Sequence, residues 1–163
     1  MGKNKPYHPS VFNFGKYALY LHYFWEYLKY RDFNSLKASW NFLLRGKTTN
    51  QSWQSTSRLG RFHIRKGTND FLFINYAYEK KIRDYLAKES DSITCFIDIG
   101  ACIAEFSIWL AGKGIKCIAF EPVNYEAAKN NIVLNGLENK IDLYNYGLGS
   151  EDKKVFFEIR DVN

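Results

Sequence analysis

The sequence predicts an α/β chain: a parallel sheet built from strand–helix–strand units, with helices in front of it. Three observations predict this. Two short apolar runs, residues 93–97 and 116–120, are each followed by an acid, Asp98 and Glu121. Between them stand Gly100, a few small residues and a stretch with helical period. The distance from Gly100 to Glu121 matches the roughly 20 residues that such a unit takes from its glycine to the acid closing its next strand. Parallel sheets of this kind hold ligands at the carboxyl ends of their strands.

The elements follow in order. Residues 11–30 read as an amphipathic helix, with Leu21, Phe24 and Leu28 on one face and His22, Glu26 and Lys29 on another. Asn34 or Ser35 is positioned to cap a second helix that runs to about Arg45 and stops at Gly46. Residues 1–47 are therefore expected to form a basic, aromatic helical extension. Residues 48–57 are polar and lack a period, so 48–60 read as a linker. The sheet domain is expected over 61–163. Phe62 and Ile64 alternate with an outward His63, as in a short strand. Residues 75–88 predict a helix with Tyr78, Ile82, Tyr85 and Leu86 inward.

The first parallel strand is expected over 93–97, its crossover helix over 103–112, and the second strand over 116–120. A helix over 123–134, closed by Asn135 and Gly136, leads to a third strand over 141–144, and 154–159 reads as a hairpin-like addition. Right-handed crossovers give the spatial order third, second, first strand.

A chain of 163 residues, 46% apolar with three prolines, is globular and fits one domain or one domain plus an extension. Charge is uneven. Residues 1–90 carry 16 Lys/Arg against 6 Asp/Glu, and 91–163 carry 7 against 11. The basic front half faces either solvent or something anionic. No nucleic-acid motif accompanies it, so a nucleic-acid partner is not expected. Cys95, Cys102 and Cys117 form no C-x-x-C and no metal spacing. Cys95 and Cys117 are expected as buried free thiols, in keeping with a reducing cytosol. No histidine follows Cys102, which argues against a thiol nucleophile. Charges at Lys16, Glu26 and Lys29 argue against a secretory leader or a membrane span over 11–30, and Pro6 breaks a myristoylation pattern after Gly2. The expected location is cytoplasmic, with the front helix able to lie on the inner face of a membrane.

The loop after the first strand decides the ligand class. A dinucleotide site wants G-x-G-x-x-G, and the chain reads Gly100-Ala101-Cys102-Ile103-Ala104. A G-x-G-x-G frame fits better, with Cys102 and Ala104 in the second and third glycine slots. A plain strand-to-helix turn that uses glycine is the alternative. Glu121 is placed to accept from ribose hydroxyls. Asn145, just past the third strand, is placed either beside a base or in an ordinary turn. Glu105, in the first turn of the crossover helix, suits the helix dipole.

The run D-I-G-A-C-I-A-E-F-S at 98–107 resembles the D-[VI]-G-A-N-[IV]-G-x-x-[ST] segment of the FkbM-type methyltransferases. The run from Glu121 to Leu137 is similar to that family's E-P segment with two spaced asparagines, here Asn131 and Asn135. Residues 65–70 and Glu79 resemble its lead-in, and the likeness covers about 61–150. The chain departs from the pattern at Cys102, in place of Asn, and Ala104, in place of Gly; both add bulk to the loop. It also lacks the family's later K-[IV]-D-[VI]-E-G-type segment.

The resemblance implies a partial Rossmann-like methyltransferase sheet, its first three parallel strands, with S-adenosylmethionine as cofactor. The cofactor residues it implies are Asp98, Gly100, Ala101, Cys102, Ala104, Glu121, Pro122 and Asn145. It implies O-methylation of a sugar, polysaccharide or other small-metabolite hydroxyl, and neither a metal nor a general base is assigned. A sheet that ends at its first strand would leave Ile93, Phe96 and Ile97 without cover. The chain is therefore expected to be truncated, to form an oligomer, or to take a partner that completes the sheet. The rival expectation is an inactive remnant whose front helix contacts a membrane surface or another protein.

Overall fold

The computed structural model describes residues 16–151 and 153–156. Two helices, α1 (Tyr17–Lys29) and α2 (Phe33–Arg45), precede a hairpin of β1 (Trp53–Ser57) and β2 (Gly60–Ile64). The short α3 (Asp70–Phe73) and α4 (Lys80–Glu89) follow. The chain then alternates through β3 (Cys95–Ile99), α5 (Glu105–Gly112), β4 (Lys116–Phe120), α6 (Tyr125–Asn135) and β5 (Ile141–Tyr144). The fold is α/β, with a parallel sheet ordered β3-β4-β5. Its strands pair in the expected order, with Ile97 opposite Ile118 and Phe120 opposite Tyr144.

The front helices are docked onto the sheet domain. Asp32, rather than Asn34 or Ser35, caps α2: one carboxylate oxygen accepts from the Ser35 amide at 3.0 Å. The other accepts from the Ser55 hydroxyl on β1. Tyr27, 3% exposed, donates to the Phe71 carbonyl at 2.7 Å and accepts from the Ser39 hydroxyl at 3.1 Å. Gly46 ends α2 in the left-handed conformation (φ 66°), as its position predicts. Residues 11–15 of the expected first helix lie outside the described residues.

The expected linker is in part a strand. β1 pairs antiparallel with β2, Trp53 opposite Ile64 and Ser57 opposite Gly60. Its buried position is Ser55, held by Asp32, so no apolar alternation marks it in the sequence. Phe62 and Ile64 are fully buried and His63 faces out, as expected.

The second edge of β2 is covered by α6. Asn131 accepts from the His63 amide at 2.8 Å, and Asn135 accepts from the Arg61 amide at 2.9 Å and donates to the Arg61 carbonyl at 2.7 Å. Four residues on a helix face thus match two on a strand, and the two asparagines stand in for a neighbouring strand. The fit is close at Gly60, where a Cβ would lie 2.9 Å from both Asn135 Oδ1 and Ile108 Cγ2.

One face of the parallel sheet packs on α5 and α6 through Cys117, Ala119, Ile108, Ala128 and Ile132, all buried. The opposite face is open: Ile97 is 58% and Ile99 66% exposed. Among the described residues β3 pairs with β4 alone. Ile97 is uncovered as expected, but Phe96, on the helix side of β3, and Ile93, just before the strand, are half-buried against the core. Cys95 falls on the open face and is exposed, contrary to expectation, while Cys117 is buried.

Two further expectations are corrected. β3 runs two residues later than the apolar run, so Asp98 lies within it. The helix expected over 75–88 begins at Lys80, after a left-handed Glu79 (φ 52°). Ile82 and Tyr85 are exposed, whereas Tyr78 and Leu86 are half-buried as expected, Leu86 against the core, and the fully buried residue is Arg83. Residues 153–156 carry no regular structure, and 157–159 of the expected hairpin lie outside the described residues.

Candidate functional site

The loop between β3 and α5 turns through three left-handed residues: Gly100 (φ 79°), Cys102 (φ 50°) and Ala104 (φ 63°). Cys102 and Ala104 hold a conformation that costs a side-chain-bearing residue roughly 1–2 kcal/mol. They stay there because the loop is tied at several points. The Gly100 and Ala101 amides donate to the Phe120 carbonyl at 2.9 and 3.1 Å. The Cys102 amide donates to Glu121 Oε2 at 2.8 Å. Asn131 donates to the Ile103 carbonyl at 3.1 Å.

Glu121 closes this knot. Its Oε1 also accepts from the amides of Val123 and Asn124, both at 2.8 Å. The residue is 5% exposed. Three of the carboxylate's four acceptor positions are therefore filled by backbone, and one remains. Arg65 ties the same region to the hairpin: it grips Asp70 through Nε at 2.8 Å and a terminal nitrogen at 2.9 Å, and donates to Asn124 Oδ1 at 2.8 Å.

A cavity of about 300 Å³ opens at the carboxyl end of β3. The loop forms its floor with Gly100, Ala101 and Cys102, and a Cβ added at Gly100 would meet nothing within 4 Å. Glu79, Asp98 and Glu105 bring carboxyl groups to its wall, and Phe73, Tyr78 and Phe106 bring rings.

The carboxyls differ in state. Asp98 accepts from the Ser107 hydroxyl at 2.6 Å; burial raises its proton affinity against that bond. Burial pushes the Glu105 carboxyl from its ordinary 4.5 up to about 7, with Asp98 and Glu79 adding to the rise and Arg83 opposing it. Glu105 Oε2 is buried without a hydrogen-bond partner. The Arg83 guanidinium donates to the Phe73 carbonyl at 2.7 Å and to the Asn75 carbonyl, and lies 5.0 Å from the Phe106 ring centre. Burial pushes the Cys102 thiol up to about 12, so it is unreactive at neutral pH.

Of the residues expected from sequence, the structure brings Asp98, Gly100, Ala101 and Cys102 to the cavity. Ala104 is fully buried beneath the loop, and Glu121 lies behind it. Pro122 and Asn145 are not among the cavity's lining residues, and Asn145 is exposed. Phe73, Tyr78 and Phe106 were not anticipated at a site. Their signal is spatial: α3 and the segment before α4 fold back over the loop. Glu79 was marked by the resemblance, and Glu105 by its helix position alone. A larger groove of about 870 Å³ between α2 and residues 47–53 brings together amides, Lys37, Arg45 and Lys47, with no carboxyl group. Among the described residues no cluster is suited to a metal ion, and no helix is long and apolar enough to cross a membrane.

No family model matches the chain, and no curated protein matches it. Solved structures overlap it in part, at low identity. The Pyrococcus horikoshii protein PH0793, named as a transferase, is 20% identical, with 80% of this chain and 50% of that chain covered and a TM-score of 0.45. The O-methyltransferase segment of StiE, residues 961–1257, is 16% identical over 53% of this chain and 33% of that one, with a TM-score of 0.42. The N-terminal domain of human METTL16 is 20% identical over 52% and 33%, with a TM-score of 0.35. The chain thus spans a third to a half of the length of these structures.

Proposed function

We propose that this chain carries the cofactor-binding front of an FkbM-type, S-adenosylmethionine-dependent methyltransferase acting on a sugar, polysaccharide or other small-metabolite hydroxyl. One observation carries the reading. The cavity at the end of β3 joins an open glycine backbone to the carboxyl groups of Glu79, Asp98 and Glu105. A ligand that brings positive charge and hydrogen-bond donors suits such a wall, and S-adenosylmethionine brings a sulfonium and an ammonium group.

When bound, the cofactor supplies a methyl group activated by the charge on its own sulfur. The protein's part is position. Gly100, Ala101 and Cys102 shape the floor, Asp98 and Glu105 face the ammonium, and Glu121 holds the loop with one acceptor position left for a ribose hydroxyl. Ala104 buttresses the turn.

Calorimetry with the demethylated product, S-adenosylhomocysteine, tests this. The full chain is expected to bind at one site, and Gly100→Asn, which tolerates the left-handed backbone there and places a side chain in the open floor, is expected to weaken binding at least tenfold. Absence of binding to the folded chain refutes the reading.

A second reading, a membrane-surface module, is favoured by one observation. Leu21, Trp25 and Leu28 lie at i, i+4 and i+7 on α1 and are 66%, 66% and 46% exposed. Removing α1 would also remove the Tyr27 anchor, so the sharper test is Leu21→Glu/Trp25→Glu against wild type in sedimentation with anionic vesicles. Pelleting of wild type alone supports the module, and no pelleting of either at low salt dismisses it.

A further inference from the structure

Lys37, Trp40, Asn41, Leu44 and Arg45 stand at i, i+3, i+4, i+7 and i+8 on α2 and so form one stripe. Residues 47–53 run opposite this stripe, and the surface groove of about 870 Å³ lies between them. The second wall is tied down. The Thr49 carbonyl accepts from the Gly67 amide at 2.8 Å, and the Ser52 hydroxyl accepts from the Lys66 amide at 2.9 Å. Asn41 Nδ2 reaches across to donate to the Lys47 carbonyl at 3.4 Å. Two indoles are held in place as well. Trp40, 51% exposed, leans on the Phe24 ring with centres 5.5 Å apart. The half-buried Trp53 donates from Nε1 to the Ser35 hydroxyl at 3.3 Å. Walls fixed in advance lower the ordering cost of binding.

The groove's charge is one-sided. Lys37, Arg45 and Lys47 line it and no carboxyl group does. None of the three cations forms an ion pair among the described residues. Asn34, Asn50 and Gln51 add exposed side-chain amides, which both donate and accept, as sugar hydroxyls do. We propose that this groove binds an acidic saccharide. Its carboxylates meet the three cations, the C–H face of one pyranose ring lies on the Trp40 indole, and its hydroxyls bond the amides. The volume lies within the range of small-ligand sites. An acidic peptide would use the cations but leave the indole face without a ring to stack on it. A nucleic-acid strand draws its affinity from a longer run of phosphate contacts than three cations supply. The groove shares no lining residue with the carboxylate-walled cavity. Binding there is therefore independent of the proposed function; only the saccharide's role as methyl acceptor rests on it.

The probe is trigalacturonate, titrated into the full chain by calorimetry. Saturable binding at one site is expected, with the neutral trisaccharide maltotriose at least tenfold weaker. Lys37→Gln/Lys47→Gln is expected to weaken trigalacturonate binding at least tenfold. Lys129→Gln/Lys140→Gln removes two exposed charges away from the groove and is expected to leave it unchanged. Trp40→Leu keeps an apolar contact for Phe24 but no indole face, and is expected to weaken binding at least threefold. An equal loss in the two lysine pairs would mean general attraction to a basic surface and overturns the proposal. So does unchanged affinity in Trp40→Leu, or maltotriose binding as tight as that of trigalacturonate. Tighter binding of pentaglutamate or of a short oligothymidylate assigns the groove to a peptide or a nucleic acid and overturns it too, as does absence of saturable binding to the folded chain. Trigalacturonate binding without S-adenosylhomocysteine binding upholds the groove and refutes the cofactor reading.

Discussion

The Cys102 amide donates to the Glu121 carboxylate at 2.8 Å, joining the loop after β3 to the residue that follows β4. With the Val123 and Asn124 amides on its other oxygen, this one carboxylate organises both turns at the carboxyl end of the sheet. Glu121→Ala would leave three amides without their acceptor. Buried groups so deprived cost roughly 1–3 kcal/mol each, partly recovered through water. A loss of about 3 kcal/mol in urea unfolding is expected. A change under 1 kcal/mol would show that the loop holds itself.

Glu105 makes stability depend on pH. Its carboxyl ordinarily titrates near 4.5 and in the folded chain near 7. Below 4.5 the folded and unfolded states are both protonated. Between the two values the unfolded chain gives up its proton while the folded chain keeps it, so stability falls as pH rises. Above 7 the loss is complete. At about 1.4 kcal/mol per tenfold change in proton affinity, it totals about 3 kcal/mol. Glu105→Gln is expected to match wild type near pH 4 and to exceed it at pH 8. Parallel pH profiles for the two proteins would contradict this.

A half-buried Arg65 and a buried Asp70 link the hairpin to the site. Asp70 is 1% exposed, and it accepts from the Arg65 backbone amide at 3.2 Å as well as from the guanidinium. The Arg65 side chain is 30% exposed and keeps its bond to Asn124, so Asp70→Ala is expected to cost about 2–3 kcal/mol, the range for hydrogen bonds to a charged group. Chemical denaturation measures it, and Arg65→Lys, which loses the forked contact, should fall between.

Asn131 caps the β2 edge and the loop at once, with bonds to the His63 amide and the Ile103 carbonyl. Asn131→Ala is expected to cost about 2–4 kcal/mol and to speed hydrogen exchange at His63. Unchanged exchange there would mean that the edge needs no cover.

The parallel sheet was legible because each strand is a short apolar run and each turn is local. Asp98, Gly100, Ala101 and Cys102 were legible for the same reason: they are neighbours in sequence. β1 was hidden because its inward residue is Ser55, and what buries a serine is Asp32, 23 residues away. Ile82 and Tyr85 were misplaced on α4 because an arginine occupies the buried position, its donors taken up by the carbonyls of Phe73 and Asn75. Hydropathy assigns such a residue to solvent. The rings of Phe73 and Tyr78 reach the site through a long-range fold-back that no period records. Asn131 stood out only through the resemblance and Asn135 otherwise only as a helix end, and the structure gives their reason as strand-edge cover.

In the proposed function, the cavity floored by Gly100, Ala101 and Cys102 holds S-adenosylmethionine. Ultraviolet cross-linking of methyl-labelled S-adenosylmethionine to the full chain, followed by peptide mapping, tests it most directly. The expected result is label within residues 73–79 or 98–106, abolished by excess S-adenosylhomocysteine. Label confined to the groove at residues 34–53, or label that S-adenosylhomocysteine does not displace, would contradict it.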